Sequence, residues 1–228
     1  MDRFYFPLWV NRFVPLLIAM KLGGLLYLGS MFYVGAAGET MNVGFRPEQS
    51  IPFSHRTHAG ELQLDCRYCH TTVEKGARAA IPPTQVCANC HDAGETFLSQ
   101  PETVSVHFGS ERLKPLYESQ IDGKPVFWKK VHDLPDYVFF DHSAHVTRGV
   151  SCVSCHGRVD QMDVVERVET LTMGWCLECH RNPDAHIRPQ EFITDLGWTP
   201  EGDAAELGKK LRTENNIQPS TSCSTCHR

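Results

Sequence analysis

The chain is short of the material that ordinary domains are built from. Only 41% of its 228 residues are hydrophobic, and part of that share sits in a single N-terminal block, so the rest can bury only a thin core. Positive charge is scarce as well. The formal net charge is −5, and beyond residue 38 there are 19 basic residues against 26 acidic ones, or −7. Without a basic stripe to neutralise phosphates, nucleic acid is excluded as a partner. Nor does any cysteine stand alone. Each of the ten has another three positions away, a regularity that a framework of five disulfides does not require.

What is present is one pattern used five times. Cys66/Cys69, Cys87/Cys90, Cys152/Cys155, Cys176/Cys179 and Cys223/Cys226 each enclose two residues, and each pair is followed at once by a histidine: His70, His91, His156, His180 and His227. C-x-x-C-H is the signature of c-type haem attachment, in which two thiols form thioether links to the porphyrin and the adjoining histidine takes one axial face of the iron. Zinc ribbons also use C-x-x-C pairs, but they give no reason for a histidine after every pair. Five covalently attached haem c groups are therefore expected, one at each box from the first to the fifth.

The N-terminus carries the longest apolar run, Phe13 to Gly38, whose single charge is Lys21. As a helix this run spans about 39 Å, more than the roughly 30 Å hydrocarbon core demands. Lys21 lies about two turns in and can snorkel back to the interface, leaving Leu22 to Gly38 as the most apolar part. Arg3, Arg12 and Lys21 precede that part, and the first charge beyond it is Glu39. The positive-inside rule then puts the N-terminus in the cytoplasm and the haem region on the periplasmic side of a bacterial cytoplasmic membrane. A cleaved secretory signal ending in the small residues around Ala36 is the rival reading. The run is longer than a usual signal core and the chain begins at Met1 with the segment in place, so an uncleaved single-pass anchor is expected. Pro15 and the Gly23-Gly24 pair would let a neighbouring membrane helix approach closely.

Beyond the anchor the chain repeats itself. F-S-H-R-T-H at Phe53 to His58 precedes the first and second boxes, and F-D-H-S-A-H at Phe140 to His145 precedes the third and fourth. This reads as a duplicated two-haem unit with a fifth haem added at the C-terminus. Three segments follow: 1–38 as membrane anchor, 39–130 as a two-haem module with a linker, and 131–228 as a three-haem module. The linker from Ala93 to Lys130 holds Pro101, Pro115 and Pro125 and reads as mostly irregular, with a short helix near Ser110 to Gln120. The fold class expected is a multihaem c-type cytochrome, mostly irregular, with short α-helices wrapped round five haems plus one N-terminal transmembrane helix. Those helices fall at the histidine pairs, at the boxes, and from Asp203 to Asn215.

Twelve histidines less the five in boxes leave seven candidates for five distal positions: His55, His58, His107, His132, His142, His145 and His186. Residues three apart on a helix share a face, so His55 with His58, and His142 with His145, can reach different irons of a close haem pair. His132, just upstream of the second pair and beside the turn at Pro135, is taken as the fifth; His107 is the reserve and His186 the poorest candidate. Met162 and Met173 are rival ligands that would raise a reduction potential, although Met173 reads better as packing against porphyrin. With ten histidines for five irons no iron is left open, which favours an electron relay over an enzyme.

The stretches H-D-L-P-D-Y-V-F-F-D-H-S-A-H-V-T-R-G-V-S-C-V-S-C-H-G-R-V-D-Q-M, M-G-W-C-L-E-C-H-R-N-P and H-A-G-E-L-Q-L-D-C-R-Y-C-H resemble the pentahaem cytochrome c subunit of alternative complex III over nearly all of the chain after residue 50. The resemblance implies a non-catalytic subunit of a membrane quinol-oxidising respiratory or photosynthetic complex. Its partners would be iron–sulfur, integral-membrane and monohaem cytochrome subunits, and its electrons would pass to a downstream cytochrome c or similar acceptor. It also implies His55, His58, His132, His142 and His145 as distal ligands, and a monohaem cytochrome carried as a separate subunit. The competing functions are a membrane-anchored multihaem quinol dehydrogenase and a reductase of nitrogen or sulfur oxyanions, the latter needing one open iron. The single span carries no acid or histidine, so the quinol site is expected in a partner.

Overall fold

A computed structural model of the chain describes residues 6–36, 42–92 and 106–228. The chain divides into two compact units, Met1–Val43 and Gly44–Arg228. The first is the helix α1 (Leu8–Ala36), 29 residues with Pro15 inside it. It begins earlier than the apolar run, at Leu8, and takes in Arg12 as well as Lys21; positions 37 and 38 of the expected anchor lie outside the described residues. It is long and apolar enough to cross a membrane, and Leu16, Leu17, Leu25 and Leu26 are all exposed along it. A helix apolar on every side calls for a lipid surround or other helices rather than water.

Gly44–Arg228 contains no strand among the described residues, only an isolated antiparallel bridge between Val150 and Ile187. Its helices are short: α2 (Cys66–Cys69), α3 (Thr84–Ala88), α4 (Lys114–Asp122), α5 (His142–Val146), α6 (Val153–His156), α7 (Met173–Arg181), α8 (Ala204–Glu214) and α9 (Cys223–Cys226). Side chains set several of their starts by accepting an otherwise unpaired backbone N–H. Asp65 caps α2 through Arg67 N–H, Asp141 caps α5 through Ala144 N–H, Thr172 caps α7 through Trp175 N–H, and Asp203 caps α8. At the first histidine pair the chain makes a wider, π-wound turn, Arg56–Glu61, which contains His58 and has His55 as its N-cap. In the linker a 3₁₀ turn at Glu111–Leu113 leads into α4, close to the expected helix, and positions 93–105 lie outside the described residues.

The apolar core is thin. Among the described residues its buried members are Ile51, Val73, Leu116, Val146, Ile187, Ile193 and Leu196. Backbone fits tightly at three glycines, Gly60, Gly149 and Gly208. Gly149 has φ +87°, where a Cβ would come within 2.6 Å of the Arg188 carbonyl, and a Cβ on Gly208 in α8 would overlap the Asp184 carbonyl. From Gly44 onward both sequence modules lie within this one unit, whose start falls a few residues past the expected end of the anchor.

Candidate metal centres

Each box is one helical turn. The N–H of His70 bonds to the Cys66 carbonyl at 2.9 Å, His91 to Cys87 at 2.8 Å, His156 to Cys152 at 2.9 Å and His227 to Cys223 at 2.9 Å, while the fourth box lies wholly inside α7. Positions i, i+3 and i+4 of a helix share a face, so both sulfurs and the imidazole of each box project the same way. That is the arrangement needed to grip one edge of a flat ring and one face of its metal. All ten cysteines are free of disulfides. Burial raises the thiol pKa of Cys69, Cys87, Cys176 and Cys179 and pushes Cys155 up to about 12, so these side chains are protonated thiols in the haem-free chain.

The histidines are held by their other nitrogen. Nδ1 donates to a backbone carbonyl in seven of the ten predicted ligands: His58 to Ser54, His70 to Ala80, His91 to Val106, His142 to Ala77, His145 to Asp141, His180 to Ser220 and His227 to Tyr137, at 2.6 to 3.2 Å. A carbonyl can only accept, so Nδ1 carries the proton and Nε2 keeps a free lone pair, the tautomer a metal requires. His55 Nδ1 and His132 Nε2 are buried with no hydrogen-bond partner.

Ring spacing is the second feature. Two imidazoles on opposite sides of one metal, each at about 2.0 Å with its ring centre about 1.2 Å behind the nitrogen, have centres about 6.3 Å apart. His142 and His156 are 6.3 Å apart with planes 8° from parallel, His145 and His180 6.0 Å apart at 44°, and His58 and His91 6.2 Å apart at 61°. His107 is also 6.2 Å from His91, at 15°. His132 lies 4.4 Å from His156, edge to face, which is too close for opposite faces of one metal. His227 meets Tyr137 at 6.0 Å. Burial, and then the neighbouring His70 and His58, lower the pKa of His55 to about 4; burial and Arg167 lower His132 to about 4; burial and then His132 and His142 lower His156 to about 3. Neutral imidazoles, ready to ligate, therefore predominate here well below neutral pH.

The structure thus brings together His55, His58, His142 and His145 with His70, His91, His156 and His180, all half-buried, while His227, His107 and His186 are exposed. Met173, three residues ahead of Cys176 in α7, is 67% exposed. Sequence reasoning gave no role to Phe53 and Phe140, which stack on His58 and His145 at 4.2 and 4.6 Å and meet His55 and His142 edge-on at 4.9 and 4.8 Å. Their signal was the phenylalanine two residues ahead of each pair. Histidines with free Nε2 atoms, paired at metal-spanning distance beside unpaired thiols, fit haem c at these boxes.

The comparisons with known proteins agree with this chemistry. Residues 144–228 match the family model described as cytochrome c3, and residues 51–110 match that of cytochrome c7 and related cytochrome c. The multihaem cytochrome c subunit of menaquinone reductase from Nitratidesulfovibrio vulgaris is 32% identical over 155 residues, covering 59% of this chain and 69% of that protein.

Proposed function

Given that this chain belongs to the family of multihaem c-type cytochrome subunits, we propose that it is the pentahaem, non-catalytic relay of a membrane quinol-oxidising complex of the alternative complex III type. Quinol oxidation at a partner subunit releases two electrons and two protons; this chain takes the electrons one at a time and hands them to a cytochrome c or similar acceptor. The N-terminal helix anchors it with the N-terminus in the cytoplasm and Gly44–Arg228 on the periplasmic side. The observation that carries the relay reading is the ring spacing of 6.0 to 6.3 Å between a second histidine and the box histidine at the second, third and fourth boxes, because an iron with two imidazoles has no position left for a substrate. In this reading His70, His91, His156, His180 and His227 are the proximal ligands, and His55, His58, His132, His142 and His145 the distal ones. His58 is preferred over His107 at His91 because the Val106 carbonyl, part of the peptide bond leading into His107, holds the Nδ1 edge of His91, leaving Nε2 for the other side. The unpartnered Nε2 of His132 supports its place as a ligand.

A second reading reverses the flow. The relative in Nitratidesulfovibrio vulgaris is named a menaquinone reductase subunit, and a relay runs either way according to the potentials at its ends. Low-temperature EPR and stopped-flow absorbance of the purified holo-complex test both. Low-spin ferric signals alone, with haem reduction by menaquinol, are expected; a substantial high-spin signal rules out the relay. Haem oxidation by menaquinone, with none of the reduction by menaquinol, favours the reversed direction.

A further inference from the structure

The boxes touch one another in an order that is not their order in the sequence. The first and second boxes are joined through the residues between their cysteines: Asn89 Nδ2 donates to the Tyr68 hydroxyl at 2.8 Å. Cys69 of the first box is also close enough to act electrostatically on Cys87 of the second. The first and third boxes lie side by side: Cys66 and Cys152 are close enough to interact, and His142, which faces the third box, donates through its backbone N–H and Nδ1 to the Ala77 carbonyl just past the first, at 3.2 and 2.8 Å. The third lies within electrostatic reach of the fourth, from Cys155 to Cys179 and Cys176. The fourth meets the fifth through His180 Nδ1, which donates to the Ser220 carbonyl at 2.6 Å, with Cys226 near Cys176.

The histidine pairs give the same neighbours independently. His142 faces His156 and His145 faces His180, so one short helix, α5, spans the third and fourth boxes. His58 faces His91, and His55 lies beside His70, so the Arg56–Glu61 turn spans the first and second. The two copies are also docked on each other reciprocally. Ser143 N–H bonds to the Gly76 carbonyl at 3.2 Å and Arg56 N–H to the Met162 carbonyl at 3.0 Å. Gly76 and Met162 each lie six residues past their box histidines, His70 and His156, so these contacts are equivalents exchanged between copies. Cys66 and Cys152, the first cysteines of the two copies, meet where a pseudo-twofold axis would pass.

We propose that the five haems stand in a single unbranched row in the order second, first, third, fourth, fifth box, so that electrons enter and leave at Cys87/Cys90 and at Cys223/Cys226. This rests on the five-haem relay reading above. The four boxes of the duplicated unit form a symmetric row with the first and third at its centre, and the fifth extends one end. Exposure follows the same order: Cys90 and Cys223, in the two end boxes, are the exposed cysteines, and the other eight are partly buried.

Iron positions in the holoprotein, located by anomalous diffraction or by cryo-electron microscopy and identified through their attached cysteines, test the order. The second-box and fifth-box irons are expected to have one near neighbour each and the other three irons two each, with the first and third adjacent. A second-box iron adjacent to the third, or a first-box iron at an end, overturns the order. Failure of the relay reading shows separately: irons in this row that neither menaquinol nor menaquinone addresses leave the order standing and remove the donor.

Discussion

A histidine binds a metal through one ring nitrogen and has to be aimed by the other. In this chain the aim comes almost entirely from backbone carbonyls, which hold seven of the ten proposed ligands in one tautomer. The boxes need comparable support, and Asp65 supplies it to the first. Its carboxylate accepts from Arg67 N–H at 2.8 Å, from the Arg67 guanidinium at 2.9 Å and from the Thr194 hydroxyl at 2.9 Å. Those bonds, Arg67 foremost, lower its pKa from 3.8 to about 2, against burial that would raise it. A carboxyl with a depressed folded-state pKa contributes stability that is present above its unfolded value and is lost as pH falls through the folded one. Asp65→Ala, which also removes the cap of α2, is expected to cost about 1 kcal/mol at neutral pH. Thermal melts of parent and variant should converge between about pH 4 and pH 2; a gap that persists undiminished to pH 2 would contradict the account. How much of this was legible follows from sequence separation. The C-x-x-C-H boxes and the pairs His55/His58 and His142/His145 announce themselves because helical spacing is local. The acceptors Ala77 for His142, Ser220 for His180 and Tyr137 for His227 lie 65, 40 and 90 residues away, and a backbone carbonyl leaves no mark on the residue type that carries it.

At the scale of elements, the joint between the two copies is made of backbone and a few charged side chains. The Arg56–Glu61 turn lies against the 3₁₀ turn Val159–Gln161, with Arg56 donating to the Gln161 carbonyl at 3.0 and 3.1 Å and pairing with Asp163 at 2.9 Å, while Ser54 donates to Asp163 at 2.8 Å. The approach is close enough that a Cβ on Gly60 would overlap the Asp160 carbonyl. Gly60→Ala must therefore push the turn off its seat. The expected cost is about 1 to 3 kcal/mol, typical of overpacking, and the shift should disturb the low-spin EPR signals of the irons served by His55 and His58. Gly202→Ala, where a Cβ meets nothing within 4 Å, is the matched control and should leave both stability and spectra unchanged. Equal effects of the two substitutions would show that the close approach does not matter. The repeat was visible in the sequence as two F-x-H-x-x-H segments, yet the exchange of contacts between copies was not, because it depends on how the halves turn towards each other.

For the molecule as a whole, the question is what replaces a hydrophobic core. Gly44–Arg228 buries few apolar side chains among the described residues, has no disulfide, and pairs its charges mostly at the surface, as in Arg67–Glu74 and Lys210–Glu214. Exposed ion pairs add about 0 to 1 kcal/mol each and cannot make up the difference against the conformational entropy of so many ordered residues. The flat apolar faces of the attached haems are the remaining source of burial, and in the proposed five-haem relay the thioether links would hold them to the chain at ten points. Folding and haem attachment should then be one event. Protein made without haem attachment is expected to lose most of its helical far-UV circular dichroism from Gly44–Arg228 and to be cut rapidly there by proteases, while α1, which draws on lipid, still partitions into membranes. The holoprotein should melt at the same temperature with or without a thiol reductant, since no disulfide is there to reduce. Haem-free protein that resisted proteolysis as well as the holoprotein would mean that the side-chain core suffices, and the porphyrins would then be passengers rather than the centre of the fold.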